Sequence, residues 1–255
     1  MKWKTLLPIL GLGLGCALPA RAQDEMSDTS ASSVPSTSEE AAFANDEPPP
    51  SIGGGKLVLG LRLGYSLPMG AASENNNGSS EKMTDGVSGH FPIWLDVGYL
   101  VSSDVLLGLY GQYAFGGVAG SVKANCDQAS SAGISCSASD IRFGIQVQYY
   151  PSRQKKVDPW IGVGFGYELL KISLSGAGQD GSVTAKGFEF ANLQAGLDFK
   201  ALHNLGVGPF VSFSLGQYDS TSTSGSIARG NPGGDIPNKA LHEWFTFGVR
   251  GALTL

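Results

Sequence analysis

The sequence predicts an all-β chain, an eight-stranded antiparallel up-and-down barrel that crosses a membrane. Three observations carry this prediction. Eight segments alternate large apolar residues with small or polar ones, the period-two signature of strands with unlike faces. The 255-residue chain is only 15% charged and holds 37 glycines, whereas a soluble domain averages about 25% charged. The links between segments alternate short and long, as the turns and loops of a membrane barrel do.

The amino terminus reads MKWKTLLPILGLGLGCALPARAQ. Lys2 and Lys4 precede an apolar run from Leu6 to Leu18, and Ala20-Arg21-Ala22 forms a small-x-small cleavage site, so residues 1–22 are expected to be a secretory signal peptide. Acylation at Cys16 is disfavoured, because Gly13-Leu14-Gly15 precedes it and the cleavage site lies downstream. Residues 23–55 are rich in Pro, Ser and acids and are expected to form a disordered linker, since such a composition buries too little apolar surface to offset its ordering entropy. Seven of its residues, Asp24, Glu25, Asp28, Glu39, Glu40, Asp46 and Glu47, are acidic. They exceed the formal net charge of −5 on their own, so residues 56–255 are close to neutral.

The barrel strands follow in order. KLVLGLRLGYS sets Leu57, Leu59, Leu61, Leu63 and Tyr65 against Val58, Gly60, Arg62 and Gly64. HFPIWLDVGYLV sets Phe91, Ile93, Leu95, Val97 and Tyr99 against Trp94, Asp96 and Gly98. VLLGLYGQYAF sets Leu107, Leu109, Tyr113 and Phe115 against Gly108, Gln112 and Ala114. IRFGIQVQYY sets Ile141, Phe143, Ile145, Val147 and Tyr149 against Arg142, Gly144, Gln146 and Gln148. WIGVGFGYEL sets Ile161, Val163, Phe165, Tyr167 and Leu169 against three glycines and Glu168. ANLQAGLDFK sets Leu193, Ala195, Leu197 and Phe199 against Asn192, Gln194 and Asp198, while Phe188-Glu189-Phe190 just before it is out of phase and implies a β-bulge. The seventh segment sets Val207, Val211, Phe213 and Leu215 against Gly208, Ser212 and Ser214. EWFTFGVRGALTL sets Phe245, Phe247, Val249 and Leu253 against Trp244, Thr246 and Arg250.

One face of every segment is almost wholly apolar, and each is long enough for the ~9–11 residues of a spanning strand. Short links fall at 102–104, 152–158 and 201–205, and long polar links at about 67–89, 116–139, 173–185 and 219–241. Aromatic residues gather at two levels: Tyr65, Phe91, Tyr113, Phe115, Tyr167 and Phe245 near the long links, and Tyr99, Tyr149 and Phe199 near the short ones. Amphipathic rings collect in this way at membrane interfaces.

On these features residues 56–255 resemble a small bacterial outer-membrane β-barrel of the outer-membrane-protein-A/X kind, the porin family. Members commonly end in an aromatic residue, whereas this chain ends in Leu255. The resemblance implies a bacterial outer-membrane location with periplasmic termini and extracellular long loops. It also implies contact with outer-membrane lipid and lipopolysaccharide, and insertion by the barrel-assembly machinery.

With the apolar face to lipid, the inward charges are Arg62, Asp96, Arg142, Glu168, Asp198 and Arg250, three of each sign. An eight-stranded barrel is just wide enough for side chains to fill it. These six are therefore expected to pair as a structural plug: Arg62 with Asp96, Arg142 with Glu168, and Asp198 with Arg250. A selectivity filter is the alternative, which would make the protein a narrow pore for small solutes. Cys126 and Cys136, the two cysteines beyond the leader, are expected to form a disulfide in an oxidising compartment. Catalytic material is sparse. His90 and His242 start strands at the external rim, near Ser88, Asp85 and Glu243, and would be the candidates if the chain were a lipid acyltransferase or deacylase; His203 lies in a short turn. No Cys/His cluster, P-loop or dinucleotide fingerprint occurs, so neither metal, cofactor nor nucleic acid is expected, and no external ligand is specified. A structural or surface-interaction role is the leading expectation.

Overall fold

On the first barrel strand the apolar residues are the exposed ones: Leu59, Leu61 and Leu63 are 38%, 47% and 52% accessible, while Arg62 between them is 0% accessible. That inverts the pattern of a water-soluble sheet, and it recurs on every strand of the computed structural model. The structure describes residues 55–74, 79–131, 133–152, 156–176, 179–225 and 233–255, all within the unit Pro48–Leu255. The expected signal peptide and nearly all of the expected linker lie outside the described residues.

Eight long strands form the wall: β1 (Leu57–Glu74), β2 (Val87–Leu100), β3 (Val105–Val118), β4 (Ser135–Tyr149), β5 (Val157–Gly176), β6 (Gln179–Lys200), β7 (Leu205–Gly225) and β8 (Leu241–Thr254). Each pairs antiparallel with the next. The ring closes because β8 also pairs with β1, from Val58 opposite Thr254 to Gly70 opposite His242. Closure removes both edges, so the backbone groups of every stave are satisfied by neighbours even in hydrocarbon.

The outward face carries a continuous apolar band, including Leu95, Leu109, Ile145, Ile161, Leu193 and Val249. It inserts into a membrane as a transmembrane barrel, because burying such a band in water-free surroundings is favourable and leaving it in water is not. The inward face is fitted closely. A Cβ on Gly196 would lie 2.6 Å from the Trp160 indole, and Cβ atoms on Gly162 and Gly164 would each come within 3.1 Å of Gln148 and Tyr110 respectively. These strand glycines make room for large inward side chains, consistent with close packing rather than phosphate binding.

Two features depart from the sequence-based expectation. The third long link, expected at 173–185, is mostly ladder: Ser173 pairs with Ser182 and Leu174 with Gly181, so β5 and β6 run on to Gly176 and from Gln179. Above the apolar band both faces meet water, so side-chain alternation fades while backbone pairing continues. The other long links contain structure of their own: helix α1 (Met83–Gly86), helix α2 (Gly120–Ser130), and two three-residue strands, Ser80–Lys82 on β1 and Gly233–Asp235 on β7. Met83, Val87, Ala138, Leu170, Tyr218 and Trp244 form an apolar cluster at this end of the barrel.

The out-of-phase stretch on β6 is a bulge. Register shifts opposite Gly164/Gly166 on β5 and between Glu189 and Ala191 against β7. The extra residue leaves both Glu189 and Asn192 buried, with Phe188 and Phe190 outward.

Candidate functional site

The barrel interior holds two layers of buried polar side chains. In the layer toward the short turns, Arg62 meets Asp96 through two bonds, Nε to Oδ2 at 2.7 Å and Nη2 to Oδ1 at 2.9 Å, the fork geometry that makes Arg-carboxylate pairs strong. Arg62 also donates to Gln194 Oε1 at 2.8 Å, and Gln146 donates to Asp96 Oδ1 at 2.7 Å. The guanidinium lies 4.5 Å from the Trp94 ring centroid and 5.2 Å from that of Trp160, so aromatic faces cover what the carboxylate does not. Arg250 reaches Asp198 at 3.4 Å, donates to Gln148 and to the Tyr150 hydroxyl at 3.0 Å each, and lies 4.3 Å from Trp160.

The second layer, toward the long links, is built around Glu168. Its carboxylate accepts from Tyr218 Oη at 2.6 Å and Trp244 Nε1 at 3.0 Å, and lies 3.0 Å from His242 Nε2. Arg142 is its expected partner and stands directly opposite on β4, yet Nε is 3.7 Å away. The nearest carboxylate to Arg142 is Asp140, two residues earlier on the same strand face, at 2.8 Å. Glu189 lies 3.8 Å from Arg142 and accepts bonds from Tyr110 and Asn192. Arg142 therefore sits among three carboxylates and stacks over Trp244 at 4.8 Å.

The structure thus brings together all three expected pairs but changes their weights. It also corrects the count of three inward charges of each sign, because Asp140, Glu189 and Asp158 are buried as well. Asp140 continues the phase of Arg142 backward past the expected strand start, so extending the alternation by one period would have found it. Glu189 was hidden by the bulge. Asp158 lies at the lower end of β5, 3.7 Å from Lys200.

His90 and His242 lie near the starts of β2 and β8, at the end toward the long links, and their side chains are buried in the lumen at 0% and 1% accessibility. His90 stacks on Trp244 with ring centroids 5.0 Å apart, and His242 on Tyr218 at 4.0 Å. Pro92, Trp94 and Asp96 share the inward phase of His90, and Trp244 and Thr246 that of His242, so strand alternation already assigned the direction.

Cys126 on α2 and Cys136 on β4 are joined by a disulfide, with Cα atoms 6.1 Å apart. Because α2 contains no buried residue, this bond is a principal tie between the second long link and the barrel wall.

Cavities open at both ends. One of about 710 Å³ is lined by Val58, Tyr150, Asp198 and Lys200, and another of about 380 Å³ by Ala72, Glu81, Tyr218 and Ile236. On β1, Arg62 and Ser66 lie between Val58 and Ala72, and both are 0% accessible. Filled layers separate the mouths.

Ring closure, the apolar outer band and the filled polar interior define a small transmembrane β-barrel. No family model and no curated protein matches the chain. It is similar to solved outer-membrane β-barrel structures. These include Neisserial surface protein A, at 14% identity over 76% of this chain and 95% of that one with a TM-score of 0.42. The outer membrane protein OprG from Pseudomonas aeruginosa matches at 11% identity over 79% and 96% with a TM-score of 0.45. Outer membrane protein AlkL, solved in lipid bilayers, matches at 15% identity over 79% and 90% with a TM-score of 0.48. The fold itself rests on the strand pairing described above.

Proposed function

We propose that this chain is an integral protein of a bacterial outer membrane, with both termini periplasmic, the four long connections extracellular, and a structural or surface-interaction role. Residues 1–22 act as its export signal and residues 23–55 as a periplasmic linker. Arg62, Asp96, Arg142, Glu168, Asp198 and Arg250 hold the wall together from within.

The observation that carries this reading is the filled lumen. Large side chains from all eight strands occupy it, and guanidinium carbons lie over the rings of Trp94, Trp160 and Trp244 at 4.5, 4.3 and 4.8 Å. A stable plug of this kind leaves the external loops as the surface for contacts. In planar bilayers the wild-type barrel is expected to give no steady conductance above background, and in intact cells added protease should cut within the long connections only. Stable single-channel steps would favour a solute pore instead.

The pore reading has one observation in its favour. Polar atoms of Asp140, Gln112, Asn192 and His90 in the upper layer lack hydrogen-bond partners among the described residues, so this layer is less tightly tied than the lower one. Lipid modification by His90 or His242 is not supported, because both rings are enclosed by aromatic partners inside the wall.

A further inference from the structure

The outer wall has a marked asymmetry just above its apolar band. On β5 the outward residues run Ile161, Val163, Phe165, Tyr167 and Leu169, and the next is Lys171. On β6 they run Phe199, Leu197, Ala195, Leu193, Phe190 and Phe188, and the next is Lys186. On two neighbouring strands the first polar outward side chain is therefore a lysine. Apart from Lys200 at the opposite end, these are the only basic residues on the outward face of the eight strands among the described residues; Arg62, Arg142 and Arg250 point inward.

The two lysines are diagonal neighbours. Leu169 is paired with Lys186 and Lys171 with Thr184, and diagonal positions on adjacent strands lie roughly 7–8 Å apart. Among the described residues neither forms an ion pair, whereas Lys123 and Lys200 do. Asp219, in the register shift beside Lys186, accepts a hydrogen bond from Ser220 at 2.9 Å. Two hydroxyl donors flank the pair, Ser139 opposite Lys171 on β4 and Thr184 opposite it on β6, while Ser220, bonded to Asp219, is opposite Lys186 on β7. Directly below, Tyr167 and Phe188 meet edge to face at 5.2 Å, with Phe143 6.1 Å from Tyr167.

We infer that Lys171 and Lys186 form a binding site for the phosphorylated headgroup of a glycolipid of the lipid A type in the outer leaflet. This rests on the proposed orientation, which puts the long connections outside. The two ammonium groups hold phosphate, Ser139 and Thr184 offer hydrogen bonds to sugar and phosphate oxygens, and Phe143, Tyr167 and Phe188 receive the acyl chains. Lysine serves here because it can extend from the lipid boundary into the polar layer while its stem stays on apolar surface. An apolar band alone would bind any lipid, whereas two cations at the height of its upper edge select a headgroup with phosphate.

The test uses the whole protein folded in nanodiscs of phosphatidylcholine containing a small share of bisphosphorylated lipid A, with bound lipid counted by native mass spectrometry after mild extraction. The wild type is expected to retain lipid A, and the K171S/K186S double variant to retain about tenfold less or lower, given that each basic group near a charged lipid surface is worth about 1 kcal/mol. K200S should match the wild type, and K171R/K186R should keep most of the retention. Fully dephosphorylated lipid A should be lost from all four proteins. Heat-modifiable migration confirms that each variant is folded. Equal retention by folded wild type and K171S/K186S overturns the site, and equal retention of phosphatidylglycerol overturns its assignment to a glycolipid. Proteolysis of the long connections only from the periplasmic side would instead overturn the orientation, leaving the lipid result in vitro unaffected.

Discussion

Arg142 is the residue on which most of the upper interior depends. It is 1% accessible and, among the described residues, is the only arginine facing Asp140, Glu168 and Glu189. Replacing it with Leu strands three buried carboxylates, and removal of one partner from a buried ion pair costs about 3–5 kcal/mol. Arg142→Leu is therefore expected to lower the unfolding free energy in detergent or lipid by that amount, measured by urea titration of tryptophan fluorescence. A change below about 1 kcal/mol would mean that the layer is solvated rather than dry. Ile145 provides the complementary case. It is 61% accessible in the isolated chain, and at such a position in a soluble protein an arginine would cost less than about 0.5 kcal/mol. In a lipid-facing band the same Ile145→Arg change should cost about 2–4 kcal/mol when folding is followed in vesicles. A neutral result would place Ile145 in water.

At the scale of elements, the β6 bulge decides which way half a strand faces. Deleting Phe190 removes the extra residue and leaves Glu189 and Asn192 two apart, so a regular strand keeps both inward with Ala191 outward between them. The deletion is therefore expected to keep the heat-modifiable folded band, and loss of that band would show that the wall needs the bulge geometry itself. The bulge was legible because Phe188-Glu189-Phe190 breaks the alternation that Asn192 to Phe199 keeps. Its consequence, a buried Glu189 bonded to Tyr110 on β3, was not legible, because the partner comes from a strand distant in sequence across the lumen. The same limit explains why Arg142 was assigned to Glu168, its neighbour in register. Strand order gives adjacent pairs, while side-chain length and layer depth gave Arg142 the closer Asp140. In the sequence the tops of β5, β6 and β7 look like loops because alternation reports burial, and it stops where both faces meet water although the hydrogen-bond ladder does not.

For the whole molecule, the inverted pattern sets the architecture: the apolar face outward, Arg, Asp, Glu, Gln and Trp inward, and the ring closed between β1 and β8. The signal was redundant, since charge content, alternation and link lengths each pointed to it independently. The proposed surface role would rest with the long connections, where Gly, Ser, Asn and Thr follow no period.

The central claim is that IRFGIQVQYY turns its odd-numbered residues to lipid and its even-numbered ones to the lumen. Its most direct test is a spin-label scan of residues 141–149 in a C126S/C136S background, reconstituted in vesicles and read as relaxation by oxygen, which partitions into lipid, against a water-soluble nickel chelate. High oxygen accessibility is expected at Ile141, Phe143, Ile145, Val147 and Tyr149, with low accessibility to both reagents at Arg142, Gln146 and Gln148. Nickel-accessible labels at the even positions, with oxygen-poor odd ones, would mean a water-facing polar side and a protein core on the other, and would contradict the account.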